Sequence, residues 1–227
     1  MKAYERQKDM WNEIYSKSEP VDLRESPLNV EPLFDTCLMM LAYKTSNVLD
    51  FGCGTGDILF QYAKYKKRGK GVGIDQSEKG VSFAKETAKK SEYHNLHFFN
   101  GDEFFLDTFE PGKFDGIILS NVLDIMPKDE SQETLLRLDR VLSNEGYWFI
   151  KLNPFYSEDQ LKDMEYDSLG GNMYGEKGVL HLRQESTPYW MEIFSRFGEV
   201  ERYVEFPYSW QPGMNRIFLI KKKVPAR

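Results

Sequence analysis

Residues 47–57 read N-V-L-D-F-G-C-G-T-G-D. The apolar run from Val48 to Phe51 leads straight into glycines at alternate positions, Gly52, Gly54 and Gly56. A short apolar run that ends in glycines and is followed by helix-compatible sequence predicts a buried strand, a tight turn and a helix N-terminus. Such a terminus offers unpaired N–H groups and the positive end of the helix dipole. Glycines there let a ligand approach the main chain, so the stretch predicts a nucleotide or nucleoside seat. The spacing narrows the ligand. The dinucleotide pattern G-x-G-x-x-G needs glycine where Asp57 stands, and the Gly-Lys-Ser/Thr ending of a triphosphate loop is absent.

Strand and helix patterns alternate outward from this stretch. Apolar runs at 71–75, 96–100, 114–120 and 146–152 predict four further strands. Helical patterns at 56–67, 77–91 and 130–142 lie between them, with Ser77 placed to cap the second. The continuous apolar run at 114–120 implies burial on both faces. Short buried strands alternating with helices predict a parallel sheet in an α/β domain. Upstream, residues 3–17 carry Tyr4, Met10, Trp11, Ile14 and Tyr15 at helical spacing, and residues 31–43 predict a helix with Pro32 in its first turn. Residues 153–187 are rich in glycine and aromatics and predict an excursion from the sheet, a small antiparallel cover. A helix at 188–197 and strands at 200–206 and 217–221, joined through Pro212-Gly213, complete the chain.

Composition sets bounds. The chain has 227 residues, 41% hydrophobic and 29% charged, with a formal charge of -6. That charge argues against a nucleic-acid surface. Cys37 and Cys53 are the only cysteines, which gives neither a disulfide framework nor a metal cluster and suits a reducing, cytoplasmic setting. The N-terminus lacks an apolar signal segment, and no run approaches the roughly 20 residues that cross a bilayer.

The pattern L-D-F-G-C-G-T-G at 49–56 resembles motif I of the class I S-adenosylmethionine-dependent methyltransferases. The resemblance extends over residues 45–152 through G-I-D-Q-S at 73–77, N-G-D-E-F at 100–104, F-D-G-I-I-L-S-N-V-L-D at 114–124 and E-G-Y-W-F-I at 145–150. It implies a Rossmann-like, seven-stranded, mostly parallel sheet with helices on both faces, within one methyltransferase domain over 1–227. The expected parts are an N-terminal helical lid (1–45), the cofactor core (46–152), a cap insertion after the fifth strand (153–187) and a C-terminal helix with strands (188–227). The implied cofactor is S-adenosyl-L-methionine, with S-adenosyl-L-homocysteine as product. Asp75, with Gln76, would bind the ribose hydroxyls. Asp102, with Glu103, would face the adenine. Gly52, Cys53, Gly54 and Gly56 would make room for the amino-acid part, with Asp50 holding the loop or reaching the ammonium through water. Asn121 and Val122 would line the reacting methyl. Trp11 and Tyr15 are read equally as cofactor cover and as packing.

The reaction implied is an in-line displacement, for which alignment and exclusion of water supply most of the acceleration. A base helps when the acceptor is a hydroxyl. His181 is the best histidine candidate, against an incidental loop histidine, and Asp124 is either a supporting acid or a helix cap. His94 and His97 are read as structural, Trp190 and Phe194 as core, and Arg183 as solvated, with binding of an acceptor carboxylate the alternative. Asn153-Pro154-Phe155-Tyr156 looks like the N-P-P-Y signature of amino-group methyltransferases, but follows the fifth strand instead of the fourth. The expected acceptor is a small molecule, with no nucleic acid, membrane or metal, in a monomer or homodimer. A protein or peptide N-methyltransferase and a non-catalytic cofactor-binding module are the alternatives.

Overall fold

In the computed structural model, residues 6–223 are described. The element order is α1 (Gln7–Tyr15), α2 (Pro32–Lys44), β1 (Asn47–Phe51), α3 (Asp57–Tyr65), β2 (Lys70–Asp75), α4 (Glu78–Lys90), β3 (Leu96–Asn100), β4 (Phe114–Ser120), α5 (Lys128–Val141) and β5 (Leu142–Leu152). It continues through α6 (Glu158–Asp163), β6 (Asp167–Gly170), β7 (Met173–Glu176), β8 (Val179–Arg183), α7 (Thr187–Ser195), β9 (Gly198–Tyr208) and β10 (Gln211–Lys222). Short 3-10 turns follow β3 at Glu103–Thr108 and β4 at Leu123–Ile125.

The main sheet has seven strands in the order β3-β2-β1-β4-β5-β10-β9. The first five are parallel, and β10 runs antiparallel to both of its neighbours. The expected seven-stranded, mostly parallel α/β sheet is therefore present. Strand side chains alternate between two cores. Val48, Ile118 and Phe149 pack with Leu38, Leu41, Phe60 and Ala84 from α2, α3 and α4. Leu49, Ile117 and Trp148 pack with Leu135, Leu138, Trp190 and Phe194 from α5 and α7 on the other face. Local chemistry sets the helix starts. Pro32 opens α2, where its missing N–H costs nothing, and the Glu31 carboxylate accepts from Phe34 N at 2.7 Å. Ser77 accepts from Gly80 N at 3.1 Å at the start of α4, as expected.

Some boundaries differ from expectation. The β9–β10 turn lies at Ser209-Trp210, while Pro212-Gly213 falls within β10 at a bulge between Gln211 and Met214. A bulge tolerates a proline that cannot donate to the ladder. The first helix is described from Gln7, so Tyr4 lies outside the described residues. The fifth strand begins at Leu142, because Leu142 pairs with Phe114 before a register shift.

Residues 153–187 form the expected cover, a three-stranded antiparallel sheet β6-β7-β8 with α6 at its start. Tyr156, Leu161 and Leu182 make a small satellite core under it, joined by Tyr166 and Tyr174. Arg183 joins the cap to the domain. It is 2% exposed, and it donates to Met126 O at 2.9 Å, Leu123 O at 3.1 Å, Ser131 Oγ at 3.0 Å and Glu185 Oε1 at 3.0 Å. Neither sequence reading of Arg183, solvated or holding an acceptor carboxylate, describes it; its protons are spent on the turn after β4, on Ser131 and on Glu185. Trp190 and Phe194 stack in the core with centroids 5.5 Å apart.

Candidate active site

The carboxyl ends of β1, β2 and β4 face a cavity of about 210 Å³. Open α/β sheets bind ligands at this edge, where the helix N-termini converge. Its walls include Gly52 from the glycine turn, Asp75 and Gln76 after β2, Asp102 and Glu103 after β3, and Asn121 and Val122 after β4. Trp11 and Tyr15 from α1 cover it, stacked with centroids 5.5 Å apart. Among the described residues, this lining carries three carboxylates and no lysine or arginine.

Asp50, Cys53, Gly54 and Gly56 do not line the cavity. Gly52, Gly54 and Gly56 have φ of 76°, 51° and 86°, the left-handed region that favours glycine. The space beside them belongs to the chain itself. A Cβ at Gly54 would lie 2.6 Å from the Tyr15 hydroxyl, one at Gly52 2.5 Å from Val122 Cγ2, and one at Gly56 2.8 Å from Phe98 Cε1. Beside the expected role of making room for the cofactor's amino-acid part, the bare positions admit lid and core side chains. Cys53 is buried with a free thiol, and burial pushes that thiol well above its ordinary range.

Asp75 ties the turn to α4. Its two oxygens accept from Gly54 N and Ser77 N, each at 2.8 Å. Burial pushes its pKa up against the pull of those two N–H groups. Asp102 accepts from Phe104 N at 3.0 Å and caps the 3-10 turn while still bordering the cavity. Asp50 is fully buried, and neither carboxylate oxygen has a hydrogen-bond partner among the described residues. Burial, then the neighbouring Asp75 and Asp57, push it well above the usual carboxylate range. It makes no hydrogen bond to the loop. Burial and the same acids also push the Tyr15 phenol up.

A second cavity of about 190 Å³ lies between α1 and the cap. It shares Gln7, Trp11, Asn121 and Ile125 with the first. His181 borders it and faces the Tyr166 hydroxyl across 3.5 Å. Burial pulls His181 below its ordinary value, against the raising effect of Glu176, so the ring is neutral at pH 7. Asp124 borders neither cavity and caps no helix. It is buried, accepts from Asn153 N at 2.6 Å and lies near Lys151 and Arg216. It holds the start of the 153–156 segment, and so brings Asn153 to the second cavity despite that segment's place after β5.

Several site residues were not singled out from the sequence. Gln7 is 1% exposed and donates through Nε2 to Ile125 O and Leu180 O, both at 2.7 Å, which fastens α1 to the β4 turn and to the cap. Asn12 Oδ1 accepts from Ser77 Oγ at 2.8 Å and holds the same helix to α4. Lys151, in W-F-I-K-L, was the legible one, since a lysine inside a buried apolar strand needs a reason.

The sequence profile of a methyltransferase domain matches residues 43–194. The chain belongs to the methyltransferase-domain family. The match runs from the end of α2 through α7, so it takes in the glycine turn, the acids after β2 and β3, and the cap. The class I S-adenosylmethionine-dependent resemblance drawn from the motifs is thereby borne out. This methyltransferase domain is 29% identical over 140 residues to the protein-lysine N-methyltransferase EFM4 of Saccharomyces cerevisiae, covering 56% of this chain and 61% of that protein. It is 32% identical over 124 residues to a demethylmenaquinone methyltransferase of Listeria monocytogenes, covering 52% and 49%. The chain spans about half the length of the curated relatives it matches. Among solved structures, the PH0226 protein of Pyrococcus horikoshii superposes with a TM-score of 0.69 at 20% identity, covering 84% of this chain and 88% of that one. A 1,6-didemethyltoxoflavin-N1-methyltransferase of Burkholderia thailandensis, solved with bound 1,6-didemethyltoxoflavin and S-adenosylhomocysteine, gives 0.64 at 15% identity, covering 85% and 78%. At these identities the likeness concerns the fold.

Proposed function

We propose that this methyltransferase domain transfers the methyl group of S-adenosylmethionine to a small-molecule acceptor. The observation that carries the reading is the pair of cavities that meet at Asn121: an acid-lined one over the glycine turn and a covered one under the cap.

The residues present fit the cofactor. A sulfonium and an ammonium are cations, and the first cavity offers Asp75, Asp102 and Glu103 with no opposing base in its lining. The same charge would repel the pyrophosphate of a nicotinamide dinucleotide. Asp75 would hold the ribose diol, Gln76, Asp102 and Glu103 the adenosyl end, and the faces of Trp11 and Tyr15 the cationic centre. A π face near a cation contributes about 0.5–2 kcal/mol in a dry site.

When bound, S-adenosylmethionine supplies a methyl group already activated for displacement. The chain's own task is to align an acceptor and exclude water. Gln7 and Asn12 hold α1 over the junction. A neutral His181 beside Tyr166 is suited to take a proton from a hydroxyl acceptor.

One observation favours a protein-lysine acceptor as a second reading. A third cavity of about 230 Å³ shares Ser120 with the first, and Glu31, Asp57, Tyr208 and Trp210 border it. Acids with aromatic faces suit an alkylammonium chain. Titration with S-adenosylhomocysteine, followed by methyl-labelled donor in metabolite and protein extracts, tests both. Heat on titration and label in the small-molecule fraction is the expected result. Label confined to a protein band would favour the second reading, and cofactor-product binding without label in either fraction would favour a binding module. Absence of any binding would overturn the proposal.

A further inference from the structure

Lys151 is 2% exposed near the end of β5, between Ile150 and Leu152, which are themselves buried. A buried ammonium is costly unless it is paired and hydrogen-bonded. Its Nζ donates to Asn121 Oδ1 at 2.7 Å. In return the Asn121 N–H donates to Lys151 O at 2.9 Å. Asn121 is held in the left-handed region, φ 54°, so the same two residues are joined through both main chain and side chain.

This pairing determines which way the Asn121 amide faces. An ammonium has three donors and no acceptor. Oδ1 must therefore turn toward Lys151, and Nδ2 must turn away. Nδ2 has no partner among the described residues, and the half-buried Asn121 borders both the glycine-turn cavity and the cap cavity. At the junction it thus presents an N–H donor and withholds its oxygen.

The charges agree. Lys151 and Arg216 stand behind Asn121 with one buried carboxylate, Asp124, near both. Among the described residues the cap cavity is bordered by no carboxylate, in contrast to the acid-lined cavity beside it. A cation entering the cap cavity would find no carboxylate in its lining and would not meet the Asn121 oxygen, leaving Gln7 Oε1 as the unpartnered side-chain acceptor there. An oxygen-bearing group would find both a donor and a favourable field.

We infer that the cap cavity takes an acceptor presenting an oxygen, as a phenol, hydroxyl or carboxylate does, to the Asn121 amide, and rejects an alkylammonium, with Lys151 the positioning residue that turns the amide. Burial pulls the Lys151 ammonium down to about 8, which leaves it charged at neutral pH. The inference depends on the proposed function only in identifying this ligand as the methyl acceptor.

The test compares benzoate, benzyl alcohol and benzylamine at pH 7, with and without S-adenosylhomocysteine, while the side-chain amide signals of Asn121 are followed by nitrogen-edited NMR and assigned through Asn121→Asp. The two oxygen-bearing probes should move the Asn121 amide signals, and benzoate should bind about tenfold or more tightly than benzylammonium, the scale of one charge-assisted contact. Lys151→Met frees the amide to rotate and should erase that preference; Lys151→Arg, which keeps a donor toward Asn121, should retain it. Benzylammonium that moves the Asn121 amide signals with equal or tighter affinity, oxygen-bearing probes whose shifts spare that amide, or no binding of any probe would overturn the inference. Failure to bind S-adenosylhomocysteine would instead strike the proposed function, while the probe comparison without it still reads the cavity.

Discussion

The hydroxyl of Tyr15 occupies the place beside Gly54 where a side chain would otherwise begin, 2.6 Å from the ideal Cβ position. The lid helix and the glycine turn are therefore fitted to one another. Gly54→Val should expel Tyr15 and strain a backbone held at φ 51°. The expected outcome is loss of S-adenosylhomocysteine binding by calorimetry in a chain that keeps its circular dichroism. Normal affinity in that variant would mean that the turn is not part of the ligand seat.

Asp75 accepts two main-chain N–H groups, one from the turn and one from the start of α4. Asp75→Ala should weaken cofactor-product binding by roughly 1–3 kcal/mol, the scale of lost charge-assisted hydrogen bonds. Titration calorimetry reads this directly, and unchanged affinity would remove Asp75 from the ribose role.

Gln7 is the fastening between lid, β4 turn and cap. Gln7→Ala leaves two carbonyls without their donor and should lower stability by about 1–3 kcal/mol. Trp11, one turn away on the same helix, reports the loosening by fluorescence. Thermal melts and Trp11 emission identical to those of the parent chain would reduce α1 to a passive cover.

The charge on Lys151 makes stability depend on pH in a definite direction. Asp124 and Arg216 are the charged groups that act on it, and the Tyr208 ring lies 5.5 Å from its Nζ. Its folded-state value of about 8 lies below the ordinary 10.5. Between these two values the unfolded chain holds the extra proton, so this group's contribution to stability rises as pH increases. Over the window the rise amounts to as much as about 3 kcal/mol. Denaturant melts from pH 7 to 10.5 should show it as a rise in the parent chain that Lys151→Met lacks. Parallel curves for the two chains would refute the buried-ammonium description.

His181 should titrate below its ordinary 6.5, because burial outweighs the attraction of Glu176. Glu176→Gln should lower the midpoint further. A proton NMR titration of the ring that places the midpoint above 6.5 would contradict its burial beside Tyr166.

How legible each feature was depended on how local its cause is. The strands at Leu96–Asn100 and Phe114–Ser120 were bounded correctly, the second because a buried parallel strand must be apolar over its length. The Ser77 cap was readable because a cap bonds only a few residues ahead. The acids after β2 and β3 could be placed at one edge once the parallel order was known. The Pro212-Gly213 turn was misread, since a bulge and a turn share the same residues and only strand register tells them apart. Arg183 was misread because three of its four partners lie 52 to 60 residues away.

The alternating α/β order, the glycine turn after β1, the acid-rich ligand edge and the presence of a cap were legible in the chain, since each follows from periodicity or from backbone preferences of neighbouring residues. That Tyr15 fills the space beside Gly54, that Gln7 joins lid to cap and that Lys151 turns the Asn121 amide emerged with the folded contacts. Those are contacts between residues distant in the chain, and the free energy of burying a polar group depends on which partner the fold brings within hydrogen-bond reach.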